Sequence, residues 1–103
     1  MENEKTILSI LIPTIEGRED FYNRLQTELV RQVAKYGLIG KIQILKSKDK
    51  KAEHSIGWKR NLLLQNCNGE YFMFIDDDDM ICEDALPLII NLLNNKPDVI
   101  TLD

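Results

Sequence analysis

The sequence predicts an α/β protein: a mostly parallel sheet of about four strands with helices on both faces. Three observations carry this. Four short apolar runs alternate with three helical segments in the order βαβαβαβ, and parallel strands need such crossover connections. The third run, EYFMFI, is apolar almost throughout, as a strand covered on both faces is. At 103 residues the chain is one domain, 1–103, long enough to bury a modest core without disulfides or a structural metal.

Each element has a local reason. Residues 6–12, TILSILI, form a β-rich run stopped by Pro13, and PTIEG reads as a loop. From about Arg18 the apolar residues Phe21, Leu25, Leu29 and Val33 recur at every fourth position, between charged Arg24, Glu28, Arg31 and Lys35. With Gly37 as a stop, this is an amphipathic helix. KIQILKSK, 41–48, is the second strand. DKKAEHS has no periodicity and reads as a loop, and Ser55 is placed to cap the helix carrying GWKRNLLLQNC. Asn68 and Gly69 end that helix, and residues 70–75 are the third strand. A proline inside a helix costs about 3 kcal/mol. With Asp84 as N-cap, however, Pro87 falls in the first turn of EDALPLIINLLNN, where backbone N–H groups have no helical partner. PDVITLD, 97–103, is the fourth strand, and right-handed crossovers are expected.

Composition narrows the function. The net charge of −4 argues against a surface built wholly for nucleic acid. The N-terminus MENEKTILSILIP is acidic where a signal peptide is basic, and Pro13 cuts its apolar run far short of a membrane span. A cytoplasmic location and no membrane segment are therefore expected. Cys67 and Cys82 have no neighbouring Cys or His at metal-binding spacing and read as reduced thiols. Trp58 reads as a packing residue, and His54, the single histidine, as a surface residue.

The chemistry concentrates in FIDDDDM. Two carboxylates about 6 Å apart repel by roughly 0.7 kcal/mol in water and roughly 3 kcal/mol at an effective dielectric of about 20. A run of four, Asp76–Asp79, calls for a cation. In open α/β sheets ligands bind at the carboxyl ends of the strands, where this run lies together with Pro13–Glu16 and Ser47–Asp49. Along extended backbone Asp76 and Asp78 point the same way, close enough to converge on one hard ion, with magnesium or manganese favoured by oxygen ligands. An EF-hand calcium loop fits worse: counted from Asp76, its glycine position holds Ile81 and its glutamate position Pro87.

SIGWKRNLLLQNCNGEYFMFIDDDDM resembles the core of family 2 glycosyltransferases of the GT-A type. It has a Gly, a basic-Arg-Asn box, a GEY turn into a strand and an Asp-x-Asp signature. ILIPT is similar to that family's first strand and nucleotide loop. The resemblance implies the N-terminal, nucleotide-sugar-binding half of a GT-A domain with a Rossmann-like sheet. The activity it implies is inverting sugar transfer from a UDP- or GDP-sugar, dependent on Mn2+ or Mg2+. It makes Asp78 the metal ligand, with Asp76 assisting through the ribose or a metal-bound water, and leaves the roles of Asp77 and Asp79 unseparated beside them. It places Arg60 and Asn61 near the nucleotide, and Pro13, Thr14 and Glu16 beside base and ribose; Lys59 or Arg60, with the ion, would offset the charge that develops on the diphosphate. Asp49 is the nearest match to the family's acidic residue after the second strand, although KSKDKK departs from the usual acidic pattern.

The catalytic base is expected in a later part of such a domain, so this chain alone is expected to bind donor and transfer slowly or not at all. It is also expected to self-associate through an open sheet edge beside DVITL. Two other readings stay open. A response-regulator receiver could use Asp76 and Thr101, but the first strand ends without an acidic pair and no fifth strand carries a lysine. A nucleotide-binding module without catalysis would share the fold. A dinucleotide-binding domain is excluded, since the five glycines form no G-x-G-x-x-G.

Overall fold

The computed structural model describes residues 6–49 and 55–95. In chain order these form β1 (Leu8–Ile15), α1 (Glu19–Lys35), β2 (Ile42–Asp49), α2 (Ile56–Asn66), β3 (Tyr71–Phe74) and α3 (Ala85–Leu93). The strands make one open parallel sheet in the order β2-β1-β3. The expected fourth strand and its sheet edge, His54 and Thr101 lie outside the described residues. Among the described residues no helix is long and apolar enough to cross a membrane.

β1 is the spine of the sheet. Leu8, Ile10 and Ile12 point to one face and pack with Tyr22, Leu25 and Leu29 of α1 and Leu86, Ile89, Ile90 and Leu93 of α3. Leu11 points to the other, where α2 covers β1 and β2 and buries Leu63. The strand runs further than the sequence suggests, through Pro13 and Thr14 to Ile15. Proline is tolerated there because pairing with β3 ends at Leu11↔Phe74, so the last residues of β1 pair only with β2, as on a sheet edge.

α1 buries Tyr22, Leu25, Leu29 and Gln32, a stripe rotated from the expected one. Phe21 is 42% exposed, with the Arg18 guanidinium over its ring, and Val33 is only partly buried. The helix ends as Gly37 predicts. Gly37 takes φ +66°, its N–H donates to the Ala34 carbonyl, and the Leu38 N–H donates to the Val33 carbonyl at 2.9 Å while Leu38 enters the core. Ser55 caps α2 as expected, its Oγ accepting from the Trp58 N–H at 3.0 Å. Trp58 itself is 46% exposed, so it stands at the edge of the packed face rather than within the core.

The start of α3 is the larger surprise. Asp84 stands at the N-cap and Pro87 lies in the first turn, yet the Asp84 side chain caps nothing. The cap comes from α1 instead. Gln32 is fully buried, its Oε1 accepts from the Leu86 N–H at 2.9 Å, and its Nε2 donates to the Cys82 carbonyl and to Glu28. One amide thus satisfies backbone groups at a helix start that local sequence leaves open. Arg31 and Gln32 together hold the Glu28 carboxyl down at about 2.

A second polar node sets where β3 begins. Ser9 Oγ donates to Gln43 of β2 and accepts from the Gly69 N–H, and Gln43 also accepts from the Asn68 N–H. Gly69 approaches so closely that an added Cβ would lie 2.7 Å from the Ser9 nitrogen and 2.8 Å from the Tyr71 oxygen.

Two outcomes test these nodes. Gln32→Leu leaves the buried Leu86 N–H without its acceptor, while the Cys82 carbonyl keeps the Ala85 N–H, so it is expected to lower stability by about 1–3 kcal/mol in urea unfolding. Gly69→Ala must push backbone away from β1 and is expected to cost about 1–3 kcal/mol in the same measurement.

Candidate functional site

The three described strands are parallel and end on one edge, so the tips of β1, β2 and β3 share a side. β3 stops at Phe74, Ile75 still donates to the Leu11 carbonyl, and the chain then turns at the aspartates. The turn is closed twice over. The Asp79 N–H donates to the Asp76 carbonyl and the Asp76 N–H to Asp79 Oδ2, both at 3.0 Å. This corrects the extended backbone expected at Asp76 and Asp78. A tight turn lets Asp79 fold back, so three carboxylates converge: one oxygen each from Asp76, Asp78 and Asp79 lies within 4.8 Å of the others, and all three residues are exposed. Asp79 is the ligand candidate that the Asp-x-Asp spacing alone does not single out.

Asp77 goes elsewhere. It is 6% exposed, Thr14 Oγ1 donates to its Oδ2 at 2.7 Å, and Arg18 takes it with two nitrogens, Nε to Oδ2 at 2.8 Å and Nη2 to Oδ1 at 3.0 Å. Burial pushes the Asp77 carboxyl up. The Arg18 guanidinium and the Thr14 hydroxyl outweigh it and hold the group below the usual carboxylate value. The same guanidinium reaches Asp78 at 3.4 Å, and these acidic partners raise its own pKa. One cation that the acidic run calls for is therefore supplied from within the chain. Its sequence signal is slight: a single basic residue between the PTIEG segment and the acidic first turn of α1.

The other expected residues divide. Pro13 and Thr14 are buried in β1, and Glu16 is exposed beyond it. Lys48, near Glu16, pairs with Glu19 at 2.9 Å and ties the end of β2 to the start of α1. In α2, Lys59 is 6% exposed, one turn before buried Leu63 on the face toward the sheet, whereas Arg60 and Asn61 are exposed. Arg60 lies 5.2 Å over the ring of Phe74, two residues before Asp76, so the Arg-Asn box and the acidic turn share one corner of the sheet edge. The side chain of Asp49 lies outside what is described.

A family model described as Glycosyl transferase family 2 matches residues 26–103, most of the chain, and the chain belongs to that family. That membership sets the receiver-domain alternative aside. The match takes in the Arg-Asn box and the acidic run and begins after Thr14 and Arg18, so the ties to Asp77 are seen through geometry alone. No curated protein and no solved structure matches the chain.

The Thr14 contact is separable by an isosteric change. Thr14→Val keeps the shape and removes the hydroxyl that donates to a buried carboxylate. It is expected to lower stability by about 1.5–3 kcal/mol in urea unfolding, with the folded far-UV spectrum unchanged.

Proposed function

We propose that this chain is the nucleotide-sugar-binding part of a family 2 glycosyltransferase, holding a UDP- or GDP-sugar beside a divalent cation. The observation that carries this reading is the convergence of Asp76, Asp78 and Asp79 at the strand-tip edge, within the span matched by the family. The donor set fits a hard ion. Three carboxylate oxygens suit magnesium or manganese, and small rotations of exposed side chains would bring them within the about 4.2 Å that spans an octahedral shell. A bound ion would offset the charge that builds on the departing diphosphate.

The chain's own residues prepare that site. Arg60 and Asn61 stand exposed at the same corner, Arg60 carrying positive charge where a diphosphate would approach. Glu16 is exposed just past the end of β1, at the strand-tip edge where base and ribose would lie. Lys59 is placed against the sheet, so its charge acts from beneath the box rather than from its surface. The transfer served is an inverting displacement, in which an acceptor hydroxyl oxygen attacks the anomeric carbon and the nucleoside diphosphate leaves from the opposite face.

Titration calorimetry of the purified chain with UDP, GDP and their sugars, with and without manganese, tests the reading. Manganese-dependent binding is expected in the wild type. Asp78→Asn should remove that dependence, and Arg60→Ala should weaken nucleotide binding, each with an unchanged melting profile. If no nucleoside diphosphate binds the wild type in manganese, the reading is wrong.

A further inference from the structure

We propose that Arg18 is the positioning residue of the acidic turn: by holding Asp77 with both nitrogens it orients Asp76, Asp78 and Asp79 for a divalent cation. This rests on the reading of the turn as a cation site. Within four consecutive aspartates, one is buried and turned inward while the other three face one point in solvent. The inward one is held by Thr14 from β1 and by the two-nitrogen fork of Arg18, at 2.7, 2.8 and 3.0 Å. Arg18 is itself fixed from several sides. It is the N-cap residue of α1, its guanidinium lies 4.7 Å from the centroid of the Phe21 ring, and its Nη2 reaches Asp78 at 3.4 Å.

Successive residues of a tight turn cannot be oriented independently. Fixing Asp77 inward sets the directions of Asp76 and Asp78, and the hydrogen bonds across the turn bring Asp79 to them. A lysine would retain the charge and lose the planar two-point contact, so the fork is the feature that positions. Arg18 also places a positive charge beside Asp78, which by itself opposes a metal ion. Positioning and repulsion therefore predict opposite effects of removing it. If Arg18 positions, its loss weakens cation binding; if it only repels, its loss strengthens binding.

The experiment is manganese binding to the purified chain without nucleotide, read from the free-ion signal in electron paramagnetic resonance, with thermal melting in parallel. Arg18→Met and Arg18→Lys are each expected to weaken manganese binding about tenfold, the scale of losing a group that orients a metal-ligating carboxylate. The double variant Arg18→Met with Asp77→Asn guards against a folding failure. It leaves no unpaired buried charge, keeps an acceptor for Thr14 and preserves the local net charge, and it is expected to show the same weakening. Tighter binding in Arg18→Met, or wild-type affinity in Arg18→Lys and the double variant, overturns the proposal while leaving the cation site in place. A wild type that binds no manganese, with or without nucleoside diphosphate, removes the site itself and the proposal with it.

Discussion

Four consecutive carboxylates at a strand tip impose an electrostatic constraint that shapes this end of the molecule. The chain meets it by division. One aspartate is withdrawn from solvent and neutralised by a guanidinium and a hydroxyl, and the other three share an exposed turn. A buried carboxylate is tolerable only when paired and hydrogen-bonded, and Asp77 has both kinds of partner. Because those partners come from the end of β1 and the start of α1, neutralising the charge also docks the turn after β3 onto the first third of the chain.

The same strategy recurs away from the site. Polar side chains that look like surface residues are spent on connections between elements. Gln32 reaches from α1 to the start of α3, and Ser9 and Gln43 bind the turn that feeds β3. Each satisfies backbone groups that the local sequence leaves open, and each fixes the position of a segment leading into or away from the acidic turn. The apolar packing of β1 against α1 and α3 supplies cohesion, and these few polar contacts supply register.

For the proposed donor-binding role this gives a buried floor and an exposed upper surface. Buried Asp77, Thr14 and Lys59 lie beneath, and exposed Asp76, Asp78, Asp79, Arg60, Asn61 and Glu16 stand above. Membership in glycosyl transferase family 2 rests on the segment carrying the box and the acidic run. Thr14 and Arg18, which hold Asp77 from beneath, precede that segment.

Much of this was legible in the sequence, because it is encoded in short-range patterns. Alternating apolar runs and helical stretches yield the parallel α/β order, Ser55 and Gly37 mark helix ends by their own chemistry, and the resemblance of FIDDDDM and the KRN box points to the candidate site. Spacing reports what lies along one strand or one helix face. It does not report which of four identical aspartates turns inward, since that depends on a guanidinium 59 positions away. Nor does it show that Gln32 caps α3 in place of Asp84, or that Lys59 is buried while Arg60 is exposed, because each is decided by the element packed opposite. Sequence by itself determined the order of the six described elements and the location of the acidic edge. Only tertiary structure decided the placement and partners of each aspartate, because burial and charge pairing are properties of segments brought together by the fold.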